Sequence, residues 1–244
     1  MPFSVIIPAR YASTRLQAKL VQDIHGKPLI QHTYENAIQS GADSVIIATD
    51  DIIIDEISRS FGAVTCMTSE LHTSGTARIA EVLKTLKIDD NQIIVNVQGD
   101  EPMLSAKVIK QVAQNLADSK MDMSTLCENV IDKEQYLDSN CVKVVFDKNG
   151  KALYFSRSPI PAFRNEDDFD ASLCFRHIGI YAYRSGFIKQ YLTMDSSSYE
   201  QVEKLEQLTV LNEGFDIHVS KACASTGFGV DTIEDLEKVR KALQ

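Results

Sequence analysis

In the first half of the chain, short aliphatic and β-branched runs alternate with stretches of helical periodicity, and that alternation leaves few folds open. Residues 3–8, 44–49, 64–67 and 92–97 read as strands, predominantly apolar and β-branched, as a strand buried on both faces tends to be. Between them, residues 29–40, 52–61 and 77–86 carry apolar side chains at helical spacing, and Gly41 and Gly62 stand where the first two helices should stop. Strand–helix repetition of this kind predicts an α/β fold with a doubly wound, mostly parallel sheet. Ligands of such sheets sit beyond the carboxyl ends of the strands. The polar loops after residues 8, 49 and 97 should therefore converge on one crevice.

The second half is richer in strands. Residues 123–130, 142–147, 152–156 and 176–184 read as a meander, with Asp147-Lys148-Asn149-Gly150 as a hairpin turn. Residues 159–173 are acidic and contain proline, and are expected to form an exposed loop. A helix is expected over 197–211, a strand over 217–219 and a closing helix over 231–243. This division suggests one domain over 1–244: a nucleotide-binding lobe from roughly 1–120 and 215–244, and a smaller β-rich lobe from roughly 121–214. The apolar strand faces of the smaller lobe exceed what the first lobe can cover, so a homodimer is expected.

Composition narrows the partners. With 34 acidic against 25 basic residues the net charge is −9, which argues against nucleic acid as a partner. Five cysteines, an odd number with no C-x-x-C pair, point to reduced thiols rather than a disulfide framework or a zinc site. No apolar run approaches membrane-spanning length, so a cytoplasmic protein with no membrane partner is expected.

Loop 10–19 places Arg10, Arg15 and Lys19 directly after a buried strand. Arginine forks and a lysine point charge suit phosphate oxygens, and the small side chains of Ala9, Ala12 and Ser13 let backbone N–H groups approach an anion. A solvated basic loop is the bland alternative. Asp100 ends the most apolar strand pattern and could hold Mg²⁺, or it could cap a helix as Asp before Glu-Pro often does. Asp231 has the same two readings, with Glu234 as partner in a capping box. Arg157, Arg164, Arg176, His177, Tyr181, Glu206 and Gln207 form a looser polar set, readable as a pocket or as surface ion pairs. His25, His32, His72 and His218 lack metal-ligand spacing and read as structural.

Several strings occur together and in order: Ile6-Ile7-Pro8-Ala9-Arg10-Tyr11-Ala12-Ser13-Thr14-Arg15-Leu16, Ser74-Gly75-Thr76, Val97-Gln98-Gly99-Asp100-Glu101-Pro102, Tyr154-Phe155-Ser156-Arg157, Arg176-His177-Ile178-Gly179-Ile180-Tyr181, Leu205-Glu206-Gln207-Leu208 and Gly229-Val230-Asp231-Thr232. With them the chain, from residue 3 to about 240, resembles the 3-deoxy-manno-octulosonate (Kdo) cytidylyltransferases, also called CMP-Kdo synthetases. The resemblance implies a nucleotide-diphospho-sugar transferase-like fold whose β-rich lobe binds sugar and dimerises. It implies that the anomeric 2-hydroxyl of Kdo, an acidic eight-carbon sugar, attacks the α-phosphorus of CTP, releasing pyrophosphate and giving CMP-Kdo for lipopolysaccharide biosynthesis. By the same resemblance, Arg10, Arg15 and Lys19 hold the triphosphate, with Ala9, Ser13, Ser74 and Gly75 on the nucleotide side. Asp100 and Asp231 coordinate Mg²⁺. Arg78, Gln98, Arg157, Arg164, His177, Tyr181, Glu206 and Gln207 face the sugar. Two positions depart from the family pattern: Ala18 stands where a glycine is usual, and Ala77 where an acidic residue precedes the arginine. A sister enzyme acting on 8-amino-Kdo or sialic acid, or a nucleotide-binding homologue with weakened turnover, are the alternatives.

Overall fold

The computed structural model describes residues 1–11, 16–72 and 74–244. In chain order these form β1 (Phe3–Ala9), β2 (Asp23–Ile24), β3 (Lys27–Pro28), α1 (Leu29–Gln39), β4 (Ser44–Thr49), α2 (Ile52–Ser60), β5 (Val64–Met67), α3 (Gly75–Thr85), β6 (Ile93–Asn96), α4 (Ala106–Asp118), β7 (Met123–Asn129), α5 (Lys133–Leu137), β8 (Lys143–Phe146), β9 (Ala152–Ser156), β10 (Phe175–Arg184), α6 (Ser185–Tyr191), α7 (Ser198–Glu203), α8 (Gln207–Asn212), β11 (Ile217–Lys221) and α9 (Ile233–Ala242).

Nine of the strands make one sheet, ordered β11-β7-β10-β6-β1-β4-β5, with the β8–β9 hairpin attached through β8 to β10. The β6, β1, β4 and β5 neighbours run parallel, as do β11 and β7, while β10 is antiparallel to both β6 and β7. Strand periodicity explains the unbroken apolar runs. In β1, Phe3, Val5, Ile7 and Ala9 enter one core and Ile6 the other, and β4 and β6 divide in the same way. One core takes Ile30 and Ala37 of α1, Leu236 and Val239 of α9 and the buried stripe of α4. The opposite core takes Ile79, Val82 and Leu83 of α3, Phe187 of α6 and Leu208 of α8. Helices therefore cover both faces, which is the doubly wound arrangement expected.

Helix α4 falls outside the elements expected from the sequence, although Val108, Ile109, Val112 and Leu116 lie at helical spacing and are fully buried. Each such side chain contributes about 1.5–3 kcal/mol by leaving water. The single helix expected over 197–211 is two. Lys204 adopts a left-handed backbone (φ 55) after α7, and α8 starts only at Gln207, although Leu205, Leu208 and Leu211 keep helical spacing across the break. The segment after β9 is not merely an exposed loop either: its Phe163 and Phe169 pack on Tyr136, whose hydroxyl donates to the Pro161 carbonyl at 2.7 Å. The hairpin turn forms as expected, Gly150 N–H donating to Asp147 O at 3.0 Å. All five cysteines are free thiols. Among the described residues, no helix is long and apolar enough to cross a membrane.

Candidate active site

Two neighbouring features lie beyond the strand ends: a cluster of opposite charges and a mostly uncharged cavity. The charged cluster is centred on Lys19. Its ammonium donates to Asp100 Oδ2 at 2.5 Å and to Asp231 Oδ1 at 3.1 Å. Burial opposes the ammonium charge, yet the two carboxylates hold its pKa above the ordinary lysine value. Neither carboxylate is a helix cap. Ser105 caps α4, five residues beyond Asp100, and Thr232 caps α9 in a capping box with Asp235, not Glu234. The cap readings of Asp100 and Asp231 are thereby removed, and both side chains are turned to a shared cation. Glu101 packs beside them; burial, then the charge of Asp100, pushes its carboxyl up to about 7.

Lys19 owes its position to a tight turn. Ala18 precedes it with φ 52 and ψ 35, a left-handed backbone that glycine adopts freely and alanine does not. The glycine-to-alanine departure thus falls on a strained residue. Arg10, just past β1, donates to the carbonyl of His72. Ala9 is buried as the last residue of β1. Ser74 spends its hydroxyl capping α3, accepting from Ala77 N–H at 3.1 Å. Ser13 and Arg15 lie outside the described residues.

The cavity, about 320 Å³, gathers most of the expected sugar-side residues. Gln98, His177, Tyr181, Glu206 and Gln207 line it, as does Gly75. Strand β10 supplies one wall through His177, Gly179, Tyr181 and Tyr183, alternate positions on one face. A bulge between β10 and β7 shifts the register after Ile178. Thr125 stitches that bulge: its Oγ1 lies 3.1 Å from Ile178 O, 2.7 Å from Ile180 O and 2.9 Å from His177 Nε2. Burial, then the charge of Arg176, drives the His177 pKa down to about 3, so its imidazole is neutral near pH 7. The protein packed around Glu206 raises its carboxyl pKa, and Thr76 donates to it at 2.9 Å.

Three arginines expected at the sugar do not line this cavity. Arg78 is fully buried, ion-paired with Asp50 at 2.5 Å and hydrogen-bonded to Thr68. Arg157 reaches from the end of β9 to the Glu203 carbonyl (2.7 Å) and the Ser139 carbonyl (3.0 Å), bracing the α7–α8 turn rather than lining the cavity. Arg164 is exposed on the segment between β9 and β10. The lining also includes residues not singled out from sequence: Thr76, Asn96, Tyr183, Tyr191 and Lys204. Asn96 carried a signal, being the one polar residue in the buried run of β6. Lys204 carried none, since its role follows from a helix break that the leucine spacing hides.

Comparison with known proteins bears on this geometry. A family model described as cytidylyltransferase matches residues 4–217. The 3-deoxy-manno-octulosonate cytidylyltransferase of Ruthia magnifica subsp. Calyptogena magnifica is 71% identical over 243 residues, covering 100% of both chains. A solved structure of CMP:2-keto-3-deoxy-manno-octonic acid synthetase complexed with CTP superimposes with a TM-score of 0.92 at 40% identity, covering 100% of this chain and 98% of its own. The 4-diphosphocytidyl-2C-methyl-D-erythritol synthase of Anaerococcus prevotii, at 14% identity and a TM-score of 0.66 over 100% of this chain and 99% of its own, shares the fold. Matched along its whole length by such relatives, the chain belongs to the cytidylyltransferase family, among the 3-deoxy-manno-octulosonate cytidylyltransferases.

Proposed function

We propose that the chain transfers CMP from CTP to the anomeric hydroxyl of Kdo, releasing pyrophosphate and forming CMP-Kdo for lipopolysaccharide biosynthesis. The observation that carries this reading is the adjacency of the two features. Gln98 in the cavity and Asp100 in the charged cluster are two residues apart on the loop leaving β6, so a sugar in one meets a nucleotide at the other. Full-length similarity to Kdo cytidylyltransferases favours Kdo over sialic acid or 8-amino-Kdo.

The residues present fit Mg²⁺. Two carboxylates from distant segments already share one cation, the Lys19 ammonium, and magnesium commonly takes one or two carboxylates plus phosphate oxygens. Asp100 and Asp231 would hold it; the ion would neutralise phosphate charge and lower the pKa of the attacking hydroxyl. Arg10 and Lys19 add positive charge for the triphosphate. On the sugar side, Gln98, Tyr181, Glu206 and Gln207 offer hydrogen bonds to hydroxyls, and Lys204, a cationic side chain of the lining, suits the carboxylate. Arg157 acts through the α7–α8 turn that carries Lys204, Glu206 and Gln207. Much of the rate enhancement then comes from positioning and charge stabilisation.

We read the protein as a cytoplasmic homodimer. Free thiols support a reducing compartment. Exposed Leu153, Tyr199 and Val202 of β9 and α7 support a self-association face in the β-rich half. Pyrophosphate release, measured with Mg²⁺, CTP or ATP, and Kdo, 8-amino-Kdo or sialic acid in turn, tests the assignment. Release with CTP and Kdo above all other pairs is expected; a preference for ATP or for sialic acid would overturn it.

A further inference from the structure

We infer that Glu128, Arg176 and Thr226 form a positioning device for the metal-binding carboxylate Asp231, an inference that rests on the metal role proposed above. Asp231 ends an irregular segment between β11 and α9 that has no ladder of its own to hold it. That segment is nevertheless fastened at defined points. At its start, Ala222 N–H donates to Cys127 O at 2.8 Å and Cys223 N–H to Gln111 Oε1 at 2.7 Å. At its end, Val230 N–H donates to Asp100 O at 2.9 Å, joining the two carboxylate-bearing segments backbone to backbone. In the middle, Gly227 (φ 68) passes so close to Met103 that an added Cβ would lie 2.4 Å from the Met103 Cβ.

The central fastening is a closed ring of side chains. Arg176 and Glu128 are directly opposed on β10 and β7. Arg176 Nε donates to Glu128 Oε1 at 2.5 Å, and Arg176 Nη2 donates to Thr226 Oγ1 at 3.0 Å. The Thr226 hydroxyl then donates to Glu128 Oε2 at 3.1 Å. Thr226 is only 3% exposed, although it lies in a loop. The hydroxyl fixes the segment along its own direction because it must present oxygen to the guanidinium and hydrogen to the carboxylate together. A slip of one residue would replace it with Ser225 or Gly227 and carry Asp231 away from Asp100. The hydrogen bonds of the ring run among the three residues themselves, and the backbone of residues 226–231 links Thr226 to Asp231.

The test measures metal directly. Mn²⁺ binding to the protein–CTP complex, followed by water-proton relaxation, is compared for the wild type, Glu128→Gln, Thr226→Val, Thr226→Ser and Asp231→Asn, each with a melting curve. Thr226→Val and Glu128→Gln are expected to weaken Mn²⁺ about tenfold, the loss typical when a group orienting a metal ligand is removed. Thr226→Ser should restore binding, and the KM for Kdo should stay within about twofold. Wild-type Mn²⁺ affinity in both variants with a lowered melting temperature would overturn the inference and leave a structural staple. Unchanged binding in Asp231→Asn would instead remove the metal role, and this inference with it. If Thr226→Val does not fold, Glu128→Gln, whose side chain is partly exposed, decides the matter alone.

Discussion

The two halves of the site solve different problems. Beyond β1 and β6, charge is met with charge: Arg10, Lys19, Asp100 and Asp231 lie at the ends of parallel strands and short loops. Across the antiparallel strand β10 the walls are aromatic rings, hydroxyls and amides, with a histidine held neutral. A triphosphate is recognised mainly by its charge, which acts over distance and tolerates movement. A sugar is recognised by shape and by the direction of each hydroxyl, which demands a rigid wall. On the proposed function, the bulged, Thr125-stitched β10 would provide that wall, while Lys19 sits on a strained turn.

This contrast can be broken most sharply at Asp100. Asp100→Asn keeps shape and removes charge, so turnover should fall by about two to three orders of magnitude, the loss seen when a group stabilising developing charge is deleted. Steady-state kinetics of the Asp100→Asn, Asp231→Asn double variant should show little further loss. Near wild-type turnover in Asp100→Asn would mean that charge at this position does nothing.

Shape should matter on the other side. A Cβ added at Gly179 meets nothing within 4 Å, so Gly179→Val intrudes on open cavity rather than on packing. Its KM for Kdo should rise about tenfold or more while the KM for CTP holds. Arg157→Ala should do the same more weakly by loosening the α7–α8 turn. Equal loss for both substrates would show that the two sides are not separate.

The neutral histidine gives a smaller effect. Its pKa is near 3 in the folded protein against 6.5 ordinarily, burial being the first cause. Between those values the unfolded chain binds a proton that the folded one refuses. Stability therefore falls as pH is lowered from about 6.5 toward 3. Urea melts at pH 7 and pH 5 should show part of this slope vanish in His177→Gln; parallel slopes would mean that the imidazole is not held neutral. Smallest of all, Ala18→Gly should relieve the left-handed strain and gain up to about 1 kcal/mol, offset by added freedom in the unfolded chain. Thermal melts check it, with a rise of about 2–4 °C at most.

What could be read from sequence divides along the same line. Strands β1, β4 and β6 were legible because burial on both faces makes their central positions continuously apolar, with polar residues only near the ends. Asp100 and Asp231 were legible as candidates, but only the observed caps, Ser105 and Thr232, freed them from the competing role. Arg78 and Arg157 lie off the cavity lining for a common reason. A motif tells which residue type stands at a position, and a long side chain can turn from the cavity to Asp50 or to the Glu203 carbonyl without leaving a trace in spacing. The brace built on Glu128 and Thr226 joins residues 98 positions apart and had no local signature.

The Thr125 stitch decides which hydrogen-bonding face His177 turns toward a substrate. A hydroxyl has one proton, and a carbonyl oxygen 2.7 Å away must receive it, since two bare oxygens that close would repel. Toward His177 the same hydroxyl can then only accept, so the ring carries its hydrogen on Nε2. With the imidazole neutral, Nδ1 is left as a lone pair. The tautomer is thus chosen by a threonine on β7, and on the proposed function what His177 would have left to offer a sugar is an acceptor for a hydroxyl, not a donor for a carboxylate.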